Sequence, residues 1–228
     1  MFVACHLFLG LILGLAFAGR LDDRRLIGFS ALGAVLPDLI DKPVGHILLA
    51  GTLDSGRLFG HGLLFLALLA VAGIALYWRR ESFALLAVAA GALSHHLLDA
   101  MWAIPVTWYF PLLGPYQPYG FTDYFGGAIL AEVSSLSEWI FLAASAGIAL
   151  AACRGFGSGR PGLAAALVRV SVPLLGILAL VSLLAWAAGS PESILMAGAG
   201  PEDYLLLAMV ATVGVVGAIR YREYLYAG

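Results

Sequence analysis

Long apolar runs separated by short polar segments recur along this 228-residue chain. An α-helix rises about 1.5 Å per residue, so roughly 20 apolar residues are needed to cross a bilayer. The second run is short and the fifth is long, which predicts a buried or broken end in one and an interfacial turn in the other. In total the pattern predicts seven spans, near residues 2–19, 26–41, 58–78, 82–103, 126–153, 163–189 and 203–219.

The distribution of basic residues predicts how these spans are oriented, because short cytoplasmic loops carry the excess of Lys and Arg. Only Lys42 and Arg57 lie on the outer side of the seven-span arrangement. We therefore predict that the N-terminus is outside and that the C-terminus is cytoplasmic. The opposite side holds Arg20, Arg24, Arg25, Arg79, Arg80, Arg154, Arg160, Arg169, Arg220 and Arg222.

Composition agrees with an all-α, polytopic bundle of transmembrane helices. Hydrophobic residues make up 62% of the chain and charged residues 11%, and the mean hydropathy is +0.97. The net charge of −2 provides no basic patch that could bind nucleic acid. The apolar composition instead predicts membrane lipid as the environment of the chain. Cys5 and Cys153 fall at opposite ends of their spans and are not expected to pair.

A single membrane domain, 1–228, is the simplest organisation. Within it, residues 1–153 would form a five-span unit and residues 163–219 a two-span part, joined by the linker-like "RGFGSGRPG" at 154–162. The first run ends in "AFAG", as a signal peptide would, but no Lys or Arg precedes it. The charges "RLDDRR" follow the run instead, so we expect an uncleaved span. Cleavage after Ala18 would remove His6.

Ionisable residues collect near the outer ends of four spans. His95 and Asp99 are four residues apart, which places both side chains on one helical face. His96 is rotated by about 100° and need not join them. The other members are His6 at the start of span one, Asp38 and Asp41 at the end of span two, and His61 at the start of span three.

A shared metal ion would account for this convergence, since an ionisable group at the centre of a span costs roughly 2.5–3.5 kcal/mol. Three neutral imidazoles and two carboxylates balance one divalent ion, and this mixture suits zinc best, then manganese or iron. One ion is favoured. A second would need further anionic ligands, for which the candidates are Asp41, Glu132 and Asp123, or a bridging hydroxide. The alternative is a buried His95–Asp99 pair that only locks helices together.

Three residues are candidates for catalysis beside the ligands. Asp41 or Glu132 would act as the general base, and Glu132 is also weighed as a ligand. Arg57 would hold a substrate phosphate through its planar guanidinium, or would anchor lipid headgroups instead. The proline- and aromatic-rich segment 104–125 cannot form a regular helix and would cover a lateral opening at the outer interface.

Other polar residues have simpler explanations. His46 is expected to be solvated in an outer loop, and Asp54 is expected to lie in a turn. Glu138 belongs to "SLSE", which has the S-x-x-E form of a capping box just before an apolar run.

Four short motifs in order resemble the YdjM-like family of inner-membrane, metal-dependent hydrolases. They are "CHLFLG", "LPDLID", "RLFGHGLL" and "GALSHHLLD", within residues 5–100, and their ligand order is similar to that of zinc-dependent phospholipase C. The segment 56–62 lacks the first histidine and the hydroxyls that are typical of the family's third motif. The resemblance implies metal-assisted hydrolysis, with the ligands His6, Asp38, His61, His95 and Asp99.

We therefore expect a hydrolase in the cell membrane that acts on a lipid-like phosphoester, with its active site on the extracytoplasmic side. A lipid amide or ester is the second choice of substrate. A metal transporter or metal-binding protein without catalysis is the rival, and it would favour ligands at the membrane midplane. A purely structural bundle is the third possibility.

Overall fold

The computed structural model describes residues 3–118, 123–154, 161–189 and 195–226, and these residues contain helices and no strand. A π-helical turn at Val44–Leu48 and a 3-10 turn at Met101–Ala103 continue two of the helices. The α-helices are α1 Val3–Leu21, α2 Arg25–Pro43, α3 Leu63–Arg80, α4 Ala84–Leu98, α5 Pro105–Trp108, α6 Tyr124–Ser134, α7 Leu136–Arg154, α8 Pro161–Ala188, α9 Pro201–Arg220 and α10 Arg222–Tyr226.

Five of the described helices, α1, α3, α7, α8 and α9, are long and apolar enough to cross a membrane. The all-helical membrane class is therefore confirmed. The helix α4 is apolar but spans only Ala84–Leu98, and the charged helix α2 does not reach the same hydropathy, so seven spans stay a prediction. Apolar side chains project outward from the long helices, as lipid contact requires: Leu68 is 60% exposed, Ile177 59% and Val216 59%.

The helix ends differ from the predicted ones in two places. The third span was expected from residue 58, but α3 begins at Leu63 because residues 49–62 form a loop that folds back into the bundle. The fifth run breaks at Ser135 into α6 and α7, where the Ser135 hydroxyl donates to the Ala131 carbonyl and accepts from the Ala197 amide. Most of the predicted linker 154–162 lies outside the described residues.

The helix α2 packs between α1 and α4 through very close backbone contacts. Small residues make these contacts possible, as is common between membrane helices. A Cβ atom on Gly91 would overlap the Ser30 carbonyl, and one on Gly33 would overlap the Val88 carbonyl. The two helices are thus held at a separation that only glycine permits at these positions.

We expect Gly91→Ala to destabilise the fold by about 1–3 kcal/mol, because the added methyl group forces α2 and α4 apart. Gly176→Ala in α8 is the matched control, since its Cβ would meet no atom within 4 Å, and both changes improve helix propensity equally. Melting temperatures in detergent test this. Equal values for the two variants would contradict the proposed close packing.

Because α1 runs antiparallel to both α2 and α4, several polar segments come to one end of the bundle. The start of α1, the end of α2, the end of α4 and the loop 49–62 meet there. A separate apolar core lies among α1, α7, α8 and α9, where Phe8, Phe141, Leu175 and Tyr204 are almost fully buried. The helices α1, α2 and α4 therefore carry the polar site, and the apolar core formed with α7, α8 and α9 supports α1.

Candidate metal centre

The structure brings the five predicted ligands together in two overlapping groups. His6, His95 and Asp99 form one group, and Asp38, His61 and His95 form the other. Within each group the ligand atoms all lie within 4.8 Å of one another. The three imidazoles are between 0% and 1% exposed. His95 belongs to both groups, so it is the central residue of the cluster.

The distances between donor atoms describe one compact volume. Nε2 of His61 lies 3.0 Å from Nε2 of His95, and Nε2 of His6 lies 3.2 Å from Oδ1 of Asp99. Oδ1 of Asp38 is 3.7 Å from Nε2 of His61 and 3.9 Å from that of His95. Oδ2 of Asp99 is 3.7 Å from Nε2 of His61.

Hydrogen bonds determine which nitrogen of His61 and of His95 carries the proton. Nδ1 of His61 lies 2.7 Å from Oδ2 of Asp41, and Nδ1 of His95 lies 2.7 Å from the carbonyl oxygen of Ala34. Both oxygens only accept, so each Nδ1 donates. In the neutral imidazoles the two Nε2 atoms then carry lone pairs. Two lone pairs that face each other at 3.0 Å repel unless a cation or a proton lies between them.

Asp41 holds the loop 49–62 and orients His61, which differs from its predicted role as a base. Its carboxylate is fully buried. Oδ2 accepts from the amides of Leu58 and His61 as well as from Nδ1 of His61, and Oδ1 accepts from the amide of Gly60. Because both oxygens are occupied by donors, Asp41 is poorly placed to take a proton from water. Carboxylates in this position fix the orientation of metal-binding histidines.

Two cations lie beside the cluster carboxylates. Nε of Arg57 donates to Oδ2 of Asp99 at 3.0 Å while the Arg57 side chain stays 43% exposed. Nζ of Lys42 donates to Oδ2 of Asp38 at 2.7 Å. Arg57 was predicted from the sequence, but Lys42 was not. The sequence feature that indicates a Lys42–Asp38 contact is their i,i+4 spacing on the same helix.

The structure does not bring Glu132 or Asp123 into either ligand group. Glu132 is half-buried on α6. The Asp123 side chain instead caps the start of α6 by accepting from the Gly126 amide at 2.9 Å. These positions leave the predicted roles of Glu132 as base or ligand, and of Asp123 as an extra ligand, without support from the described contacts.

The remaining histidines lie outside the cluster for different reasons. Nε2 of His96 donates to the Gly60 carbonyl, and its Nδ1 accepts from the indole of Trp108, so both nitrogens are used.

His46 was expected to be solvated, and that expectation is wrong. It is 8% exposed, its Nδ1 lies 2.8 Å from Oδ1 of Asp54, and its ring stacks on Tyr124. Asp54 itself has a positive φ of 41°, a backbone conformation in which Asp is several-fold enriched.

Glu138 was interpreted from the sequence as part of a local capping box, but its carboxylate has a long-range role. Oε2 of Glu138 accepts from the amide of Ala4 at 2.9 Å and from that of Cys5 at 3.4 Å. A carboxylate at these amides satisfies donors that have no partner within the first turn of α1. Its negative charge also interacts favourably with the positive end of the helix dipole. Glu138 therefore holds the helical turn that presents His6.

Aromatic residues of the segment 104–118 cover the loop that carries His61. Phe59 of the loop packs edge-on against Phe110 and Tyr116, which stack on each other at 4.1 Å. Burial, with a smaller contribution from the negative charge of Asp41, raises the pKa of Tyr116 to about 12. The phenol therefore stays protonated and neutral. This segment contains only one short helix, α5, as its prolines predict.

Comparison with known proteins identifies one family. A family model described as YdjM inner membrane protein matches residues 1–221. No curated protein and no solved structure matches the chain.

Proposed function

The chain belongs to the YdjM inner membrane protein family, and from this premise we propose that it is a metal-dependent hydrolase that cleaves a lipid-like phosphoester. The protein is a multi-pass inner-membrane protein, and its buried His and Asp groups could bind a metal ion. One observation carries the proposal: the facing Nε2 atoms of His61 and His95, 3.0 Å apart, each with its Nδ1 already committed.

The donor set fits a divalent transition metal. Three imidazole nitrogens and two carboxylate groups are the chemistry that zinc prefers, followed by manganese and iron, whereas magnesium and calcium favour oxygen alone. The two carboxylates balance the charge of one divalent ion. We propose one zinc ion held by His6, Asp38, His61, His95 and Asp99, because the described ligand groups share His95 and include no further carboxylate.

Bound zinc would supply Lewis acidity toward a phosphoryl oxygen and would lower the pKa of water. The chain's own residues would do the rest. Arg57 would bind the phosphate, since its guanidinium touches Asp99 and its side chain is 43% exposed. Lys42 would hold Asp38 in place through their 2.7 Å hydrogen bond. The aromatic segment 104–118 would exclude bulk water and leave a lateral route for a lipid.

We further propose that this end of the bundle faces the extracytoplasmic side. The two cations beside the cluster, Lys42 and Arg57, are the ones that the sequence separates from the other ten, and excess basic residues mark cytoplasmic loops. Transporters usually place their ion sites near the midplane on broken helices. The position of this cluster at one end of the bundle favours a hydrolase over a transporter.

Turnover of a phospholipid extract by the purified, zinc-loaded protein tests the proposal. We expect release of phosphorylated headgroups, and we expect Arg57→Gln to lower it by about 10- to 100-fold while metal content is retained, because a charge-assisted hydrogen bond contributes about 1.5–3 kcal/mol. Arg79→Gln, at the far end of α3, is the matched control and should behave like the native protein.

The other outcomes discriminate between the rivals. Release of fatty acid without headgroup would favour a lipid ester or amide hydrolase. Zinc movement across vesicles without any lipid turnover would favour a transporter. Native protein that binds no metal stoichiometrically would leave only the structural bundle.

A further inference from the structure

At the opposite end of the bundle from the metal centre, a groove opens between α2 and α7. It has a volume of about 430 Å³, which is in the range of small-molecule and lipid-sized sites. Leu11 of α1 forms part of its floor. The remaining walls come from the first half of α2 and the last turns of α7.

Small residues create the depth of this groove. Ala149 and Ala152 of α7 line one side, and Gly28 of α2 lines the other. A Cβ atom built on Gly28 would meet no atom within 4 Å, so space is open directly above its backbone. Phe29 and Leu32 stand at the groove with exposures of 36% and 46%. The surface that lines the groove is mostly apolar, and this apolar channel suits a hydrocarbon chain.

Basic side chains close one end of this apolar channel. Arg24 and Arg25 both line it. The guanidinium of Arg24 lies over the ring of Tyr224, 5.4 Å from its centroid, and the Tyr224 hydroxyl donates to the Ala18 carbonyl. Arg25 is paired with Asp23 at 3.0 Å, so Arg24 is the main source of positive charge. Aromatic stacking holds this charge at the groove end.

We propose that this groove binds one anionic phospholipid, with an acyl chain along Gly28 and Ala149 and the phosphate at Arg24. An apolar channel alone would accept any lipid of the bilayer. A cation at its end adds electrostatic attraction for an acidic headgroup, which is worth about fivefold in affinity for each basic side chain at such a surface. This site shares no residue with the metal centre, and it does not depend on the proposed hydrolase activity.

Lipid retention by the full-length protein in detergent tests this inference. The protein is equilibrated with an equimolar mixture of phosphatidylglycerol and phosphatidylcholine, and the bound lipid is counted by native mass spectrometry. We expect about one phosphatidylglycerol per chain, retained in preference to phosphatidylcholine. Arg24→Gln should lower that preference by roughly fivefold. Gly28→Leu should displace both lipids, because its side chain fills the channel.

Arg80→Gln, at the end of α3, is the matched control for the change in charge and should keep the preference. Melting temperatures verify that each variant is folded, and Arg24→Gln gives a result even where Gly28→Leu fails to fold. Native protein that retains the two lipids equally would overturn the inference. So would a preference that survives in Arg24→Gln.

Discussion

Replacing His95 with alanine is expected to abolish stoichiometric metal binding. His95 is the residue that both ligand groups share, and its Nε2 faces the Nε2 of His61 at 3.0 Å. Loss of a residue in the outer shell alone typically costs about 10- to 100-fold in affinity, so loss of this central ligand should cost more. Elemental analysis of the purified variant, with zinc titration against a chelator, measures the change.

His96→Ala is the control for this experiment. The two histidines are adjacent on α4 and equally buried, so both changes leave a cavity in the same part of the fold. His96 uses its nitrogens on Gly60 and Trp108, and we expect the variant to keep its zinc. If His95→Ala kept full metal content, or if both variants lost it equally, the proposed centre would be wrong.

Asp41→Asn is expected to weaken zinc binding by about 10- to 100-fold although Asp41 is not proposed as a ligand. The carboxylate accepts the Nδ1 proton of His61 at 2.7 Å and three backbone amides of the loop. An asparagine amide nitrogen only donates, so it cannot replace both oxygens. The change would disfavour the tautomer that presents the Nε2 lone pair of His61 and would leave at least one buried amide unpaired.

Asp54→Asn provides the comparison for the Asp41 variant. Asp54, on the loop 49–62, also bonds a buried histidine, His46 of the preceding π-helical turn, at 2.8 Å, but neither residue belongs to the ligand groups. We expect reduced stability in both variants and reduced zinc affinity only in Asp41→Asn, with partial recovery of metal content at high zinc concentration. Unchanged zinc affinity in Asp41→Asn would remove the proposed orienting role.

Sequence reasoning succeeded where the signal was local or could be read from topology. Apolar runs predicted the helices, and the alternation of helix directions predicted that His6, Asp38 and His61 would lie at the same end as the "SHHLLD" segment. The i,i+4 spacing of His95 and Asp99 correctly placed both on one face. The helix ends were less accurate, because Leu58 and Phe59 extend the apolar run of α3 in the sequence although both belong to the loop 49–62, where Leu58 is fully buried without being helical.

The roles of single carboxylates could not be predicted in this way. Asp38 and Asp41 are three residues apart, yet one faces the imidazole Nε2 atoms and the other bonds the amides of the loop. Glu138 matched a local capping pattern, but its partners are the amides of Ala4 and Cys5, more than 130 residues away. In each case the partner is brought close only by helix packing.

The sequence by itself determined the membrane class, the helices, and the set of imidazoles and carboxylates near one end of the bundle. It could do so because hydropathy and helical periodicity are local properties of the chain. The tertiary structure alone decided which nitrogen of each histidine is available, since Nδ1 of His95 is committed by the Ala34 carbonyl, 61 residues away. It also decided that Asp41 orients the imidazole of His61 and that Lys42 donates a hydrogen bond to Asp38. Hydrogen-bond partners depend on distances and angles between helices, and glycine contacts such as that of Gly91 with Ser30 determine those distances.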